Sequence, residues 1–286
     1  MANKGKYYES QFEEATIELL REAHWQYTLG DDIHRKYTDP LIEEDLRNFL
    51  AVQYKDKNLT TSEMDGIVAN LRNTGGQNDY YALRNAFLLY RDGYDFAYSD
   101  SRDNPFRMEY IDFEHPDHNI FRCVNQFVMG QGRENRRPDI LLFINGIPVC
   151  IIELKNPTKQ NATIRDAHTQ ICTRYMRDIP ALLKYCALAV ISDGAKNALG
   201  TTYTPFEFFY EWKKIENEDK AGKGLDTLRT LIRGALSPER ILEILRDYVY
   251  FPDPTKEDDT TEIVCRYPQF FATRKLREHI LNPLRS

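Results

Sequence analysis

The sequence lacks the features that would place it in several large protein classes. No apolar run approaches the ~20 residues that a membrane-spanning helix needs. Residues Met1 to Tyr8 are polar and basic, without the apolar stretch of a secretion signal. Five cysteines stand at 123, 150, 172, 186 and 265. They form no CxxC pair, and their odd number argues against a disulfide framework, so a reducing cytoplasm is the expected setting. No GxxxxGK[ST] motif is present. The nearest stretch, ISDGAKNALGTT at 191–202, lacks the Gly-Lys-Ser/Thr ending that cradles nucleotide phosphates. There is no internal repeat, no low-complexity tract and no excess of positive charge. With 38 basic against 44 acidic residues the net charge is −6. That balance does not exclude a nucleic-acid partner, which feels local fields rather than totals, and a metal site built from carboxylates is itself locally acidic.

What is present suits a globular protein of 286 residues with a substantial core, 42% hydrophobic and 29% charged. The first third reads as helical. Ser10-Gln11-Phe12-Glu13 matches a capping box, and apolar residues recur after it at helical spacing. Asp39-Pro40 reads as a second helix start, and further helices are expected over 61–71 and 79–90. The middle reads as strands over 107–113, 121–129, 140–144, 149–152 and 186–191, with a helix over 162–177. Helices are expected again over 205–212, 225–236 and 238–248, the last capped by Ser237. FPDPTKEDDTTE at 251–262 reads as a solvated linker. The expected division is a domain over 1–250, its core about 107–215, and a linker with a following segment over 251–286.

The chemistry concentrates in RRPDILLFINGIPVCIIELKNP at 136–157. Its two apolar runs are near-continuous rather than alternating, as in strands covered on both faces. Ionisable groups stand only at their ends, Asp139 at one and Glu153 with Lys155 at the other. Glu153 and Lys155 share a strand face, roughly 6–7 Å apart. Two carboxylates suit hard Mg²⁺, and a neighbouring lysine can position a water or meet charge on a phosphate. These are parts for metal-assisted phosphodiester hydrolysis. Parity imposes a condition. An unbulged two-residue turn at Asn145-Gly146 would pair Asp139 with Ile152 and turn Glu153 away. The site therefore requires a three-residue loop over 145–147 or a bulge in one strand. The competing reading is a surface hairpin whose ends carry a solvated ion pair.

RPDILLFINGIPVCIIELKNP resembles the nuclease core of HsdR, the restriction (R) subunit of type I restriction-modification enzymes. FEEATIELL at 12–20, FRCVNQF at 121–127, RDIPALLKY at 177–185, ISDG at 191–194 and IVCRYPQFFATRKLREHI at 263–280 resemble the same family, in its order. The resemblance implies an α/β fold of the PD-(D/E)xK restriction-endonuclease type, with a central mixed β-sheet flanked by helices and a helical N-terminal part. It implies a Mg²⁺-dependent endonuclease that cuts unmethylated double-stranded DNA beside modification and specificity subunits, with ATP used only by a helicase motor in the full-length subunit. The chain would then be the nuclease domain with its connector. Asp139 would bind Mg²⁺ directly, Glu153 would share it with help from a strand-end carbonyl, and Lys155 would orient the attacking water. The family also carries a Gln-x-x-x-Tyr motif on the next helix. Here Gln170 and Tyr175 are five apart, which on an α-helix splays them by roughly 140°, so a helix irregularity would have to compensate. Glu13 could be the helix carboxylate that some relatives bring near the metal, although its place in the capping box explains it equally well.

Other residues admit bland readings. His115-Pro116-Asp117-His118 could hold a transition metal, but a proline turn between strands accounts for it better. Trp25 and Trp212 could stack on bases, though aromatics at helical spacing are more often core. Arg133, Arg136, Arg137, Lys159, Arg165, Arg174 and Arg177 lie around the motif and could contact phosphates. The alternative to an enzyme is a catalytically silent nucleic-acid- or partner-binding module of the same fold.

Overall fold

The computed structural model describes residues 2–100, 103–130, 135–155, 163–216, 222–252 and 260–282. Along the chain these form α1 (Ala2–Glu22), β1 (Gln26–Leu29), α2 (Glu43–Gln53), α3 (Thr61–Asn73), α4 (Asp79–Asp92), β2 (Tyr94–Phe96), β3 (Phe106–Met108), β4 (Phe121–Asn125), β5 (Ile140–Ile144) and β6 (Ile147–Leu154). There follow α5 (Ile164–Thr169), a π-helical segment (Gln170–Tyr175), α6 (Met176–Asp178), α7 (Pro180–Leu183), β7 (Leu188–Ser192) and β8 (Asn197–Gly200). The remainder is α8 (Leu225–Leu231), a second π-helical segment (Ile232–Leu236), α9 (Pro238–Asp247), β9 (Val249–Tyr250), β10 (Ile263–Val264) and α10 (Tyr267–Leu281).

The fold is α/β around a mixed six-stranded sheet in the order β1-β4-β5-β6-β7-β8. β5 and β6 are its centre and are buried along their whole length. Ile140, Leu142, Ile144, Cys150 and Ile152 join the core formed with α1 to α4, α8 and α9. Leu141, Phe143 and Ile151 join the core beneath α5, the π-helical segment and α7. Two covered faces explain the unbroken apolar runs. Each fully buried Ile, Leu or Phe contributes about 1.5–3 kcal/mol.

The β5–β6 hairpin satisfies the parity condition. Its turn is the two residues Asn145 and Gly146, both with positive φ (50° and 77°), as in the turns that suit a right-twisted hairpin. Ile144 pairs with Ile147 and Phe143 with Pro148, but Leu142 pairs with Cys150 and Ile140 with Ile152. Val149 is the extra residue. Pro148 explains the position: it has no N–H for the ladder, and inside a sheet proline is tolerated at a bulge. The turn is anchored from outside. Asn145, with no exposed surface, donates to the carbonyl of Tyr110 at 3.0 Å and to Asn119 Oδ1 at 2.8 Å, and accepts from the Ile120 N–H at 2.8 Å.

Several local expectations yield to tertiary demands. Ser10 lies inside α1 and is not its N-cap, because the helix starts at Ala2. α2 starts at Glu43 rather than at Asp39-Pro40; the Asp39 carboxylate accepts from the Leu41 N–H and from Arg72 instead. The 107–113 segment is not a strand of the main sheet. Only its start pairs, with β2, and the Asp112 side chain then captures the N–H groups of Glu114 and His115 and turns the chain. The 205–212 stretch is not an α-helix: after a 3₁₀ turn at Phe206–Phe208, Tyr210 bridges to Leu199 and Phe209 lies on Gly200. Ser237 makes no side-chain cap, and Pro238 alone opens α9. Trp25 and Trp212 are core residues with their indole N–H groups on the carbonyls of Leu236 and Lys214, which removes them as base-stacking platforms. Most of the expected linker, 253–259, lies outside the described residues. On either side of it β9 and β10 pair, and Phe270 of α10 is fully buried against Trp212 and Tyr248.

A Cβ at Gly146 would stand 2.1 Å from the carbonyl oxygen of Ile42, in a backbone conformation that L-residues rarely adopt. Gly146→Ala is expected to cost about 2–3 kcal/mol of stability, measured by denaturant unfolding; a loss below half of that would mean that the turn does not need glycine.

Candidate active site

The bulge brings Asp139 into register with Glu153. Ile140 pairs with Ile152, and the ladder continued by one residue sets 139 opposite 153 on the face that holds Leu141 and Ile151. The N–H of Leu154 donates to Asp139 Oδ2 at 2.7 Å, so the end of one strand orients the carboxylate at the end of the other. The ladder to β7 extends past β6, where the Lys155 N–H donates to the Ser192 carbonyl at 2.7 Å and places the lysine backbone.

Four side chains close a ring of hydrogen bonds beside Asp139. Lys155 Nζ donates to Glu153 Oε1 at 2.7 Å and to Gln170 Oε1 at 2.8 Å. Gln170 Nε2 donates to the Tyr175 hydroxyl at 2.7 Å, and that hydroxyl donates to Glu153 Oε2 at 3.2 Å. The five-residue spacing of Gln170 and Tyr175 is reconciled by the backbone. Both lie in the π-helical segment, whose i→i+5 hydrogen bonding widens the turn and brings residues five apart onto one side.

Burial sets the electrostatics. Glu153 is 1% exposed, and loss of solvent together with the nearby Asp139 charge raises its pKa to about 8, against the opposing pull of Lys155 and Tyr175. Burial and then Glu153 also push the Tyr175 hydroxyl well above its ordinary value. Two carboxylates share one poorly solvated corner with a single lysine, and a divalent cation bound by oxygen would balance the remaining charge. The donor set therefore fits Mg²⁺.

Glu13 reaches the same end of the sheet from α1. Its Oε1 accepts from Asn125 Nδ2 at 2.6 Å and from Gln126 Nε2 at 3.1 Å. Asn125 pairs with Ile140, so Gln126 is next to the position of Asp139 in the neighbouring strand. Glu13 is thus held by two amides rather than by a helix cap. Asn125, Gln126 and Ser192 were not singled out in the sequence, although Asn125 and Gln126 lie in the FRCVNQF stretch and Ser192 in ISDG. Of the basic residues, Arg136 and Arg177 are spent on Asp178, whose pKa they hold down to about 2. Arg165 lies over the Phe206 ring, while Arg137 and Arg174 are exposed. Arg133 and Lys159 fall outside the described residues. In the histidine motif the carboxylate that meets the imidazoles is Asp112, not Asp117.

A family model described as the type I restriction enzyme R protein N terminus matches residues 6–208, a span that contains every residue of this site. The chain belongs to this family. The HindI endonuclease subunit, a type I restriction enzyme subunit of Haemophilus influenzae, is 28% identical over 279 residues, which cover 93% of this chain and 26% of that protein. The putative type I MjaIXP endonuclease subunit of Methanocaldococcus jannaschii is 27% identical over 287 residues, 92% of this chain and 27% of that protein. A second subunit from that organism, MjaVIIIP, is 31% identical over 183 residues. The chain spans about a quarter of the length of the first two relatives.

Glu153 gives a pH signature in metal-free protein. Below the ordinary pKa of 4.5 both folded and unfolded chains hold its proton. Between there and about 8 the unfolded chain releases the proton while the folded chain keeps it, so folding stability falls as pH rises through that window. Glu153→Gln is expected to flatten this slope in denaturant unfolding from pH 5 to 8 with a chelator present. Parallel curves for the two proteins would show that Glu153 is not the buried acid described here.

Proposed function

We propose that this chain is the DNA-cutting domain of a type I restriction enzyme R subunit, a Mg²⁺-dependent endonuclease of the PD-(D/E)xK type. The observation that carries the reading is the bulged hairpin register, which sets Asp139 across from Glu153 with Lys155 bonded to the latter. The family membership and the endonuclease names of the relatives support it.

Asp139 and Glu153 would hold the ion, which would lower the pKa of a bound water and neutralise charge on the scissile phosphate. Lys155 orients the attacking water and faces the charge that develops on the phosphate. Gln170 and Tyr175 hold the lysine amine and the Glu153 carboxylate in fixed positions, and burial of the ring keeps bulk water from displacing them. Glu13, with Asn125 and Gln126, lines the approach beside Asp139. The substrate is double-stranded DNA lacking protective methylation. In the assembled cytoplasmic enzyme, cutting is coupled to ATP-driven translocation and directed by modification and specificity subunits. No helix among the described residues is long and apolar enough to cross a membrane.

In the full-length subunit within its complex, Asp139→Ala should abolish DNA cleavage. Lys155→Ala should lower it about 10²–10⁴-fold, and both should leave ATP hydrolysis intact. Cleavage that persisted in both variants would refute the site. The π-helical segment provides a finer test. Gln170→Ala should lower cleavage about 10–100-fold. Deletion of the exposed Thr173 should largely retain it, because a four-residue spacing on an α-helix again puts Gln170 and the tyrosine on one face. Loss of cleavage in the folded deletion variant would show that the π-helical form is itself required.

A further inference from the structure

Between β3 and β4 the chain makes a compact loop on Asp112, His115 and His118. Asp112 is 5% exposed, while both imidazoles reach solvent. Its Oδ1 accepts from the N–H groups of Glu114 at 3.0 Å and His115 at 2.9 Å. Three further groups converge on its Oδ2: Gln53 Nε2 at 3.2 Å, His115 Nδ1 at 3.3 Å and His118 Nδ1 at 2.9 Å. A carboxylate offers about four lone-pair sites, two on each oxygen. Five contacts exceed that number, and the excess falls on the oxygen that faces the imidazoles. The two rings are stacked with centroids 4.8 Å apart.

The geometry points to a transition-metal site formed by Asp112 Oδ2, His115 Nδ1 and His118 Nδ1, of the kind that takes Zn²⁺. One ligand atom from each residue lies within 4.8 Å of the others. The two Asp–His separations, 2.9 and 3.3 Å, match the ~3.3 Å between neighbouring donors of a tetrahedral ion bound at ~2.0–2.1 Å. One cation replaces two crowded hydrogen bonds with three coordinate bonds and accepts the buried carboxylate charge. Two imidazoles with one carboxylate select zinc-like ions over hard Mg²⁺. The solvent-facing side of the imidazoles leaves a fourth position for water.

The site is separate from the proposed nuclease centre. Asn119 ties the loop to the hairpin turn: its amide donates to the Asp112 carbonyl at 2.7 Å, and its Oδ1 accepts from the Asp112 N–H and from Asn145. Asp139 is six residues from Asn145 along β5, ~20 Å for extended chain. The ion is therefore a staple on the loop that clamps the turn, and not a second catalytic metal.

Co²⁺ and Zn²⁺ should be titrated into metal-stripped protein with Mg²⁺ in excess to occupy the acidic centre. One equivalent of Co²⁺ is expected to bind with a tetrahedral visible band, Zn²⁺ should displace it, and Zn²⁺ should raise the unfolding temperature. His115→Ala and His118→Ala should each lose all three effects while unfolding at the wild-type temperature in chelator. His118→Gln serves where the alanine variant is unstable. Asp139→Ala should keep the effects. The proposal is overturned if no saturable binding occurs in the micromolar range, if both histidine variants still bind, or if binding is lost in Asp139→Ala alone.

Discussion

Val149 is one residue inserted into a central strand, and the geometry of the candidate site follows from it. The side-chain period of a strand is two, so a single insertion transfers every later residue to the opposite face. Before the bulge, β6 pairs with β5 as the tight turn dictates; after it, the register is the one that sets Glu153 across from Asp139. Without the insertion, one of the two carboxylates would lie among the apolar residues on the other face of the sheet. The bulge is in turn held by its surroundings. Pro148 leaves the ladder without a donor there, and Asn145 and Gly146 are locked against Tyr110, Asn119 and Ile42.

Burial then gives the ionisable residues their character. In water Glu153 and Lys155 would be an ordinary ion pair worth little. With Glu153 almost fully enclosed and its lysine 15% exposed, the pair is tied into a closed ring with Gln170 and Tyr175, and the carboxyl holds its proton to about pH 8. Under the proposed reading, a divalent ion would take the place of that proton and exchange one form of charge compensation for another. The ring depends on a second local insertion. The widened π-helical turn does on the helix what the bulge does on the strand, bringing into contact residues whose spacing would otherwise separate them.

Much of this was legible in the residues. The near-continuous apolar runs marked the two central strands, the charges at their ends marked the candidate site, and parity showed that an irregularity was required. Helices α3 and α4 were legible because local caps agree with the packing: Thr60 and Glu63 form a capping box and Asn78 caps α4. Local signals misled where tertiary contacts competed for the same groups. Asp39 looked like a cap and is held by Arg72 and the Leu41 N–H. The 107–113 strand stops where Asp112 takes backbone donors for its own turn. β1 and β8, four residues each, were too short to show a period.

The sequence by itself determined which groups are available and where apolar character ends, because hydrophobic period and side-chain chemistry are properties of short stretches. It therefore determined the central strands, the carboxylates and lysine at their tips, and the odd spacing of Gln170 and Tyr175. Only the tertiary structure decided where the extra residue is absorbed, that the Gln–Tyr spacing resolves into contact, that Glu13 is held by the amides of Asn125 and Gln126, and that Asp112 rather than Asp117 meets the two histidines. Those outcomes depend on which polar group wins a partner in a crowded interior. That competition is settled by packing and by the cost of leaving any buried donor or charge unmatched, not by the residues' neighbours along the chain.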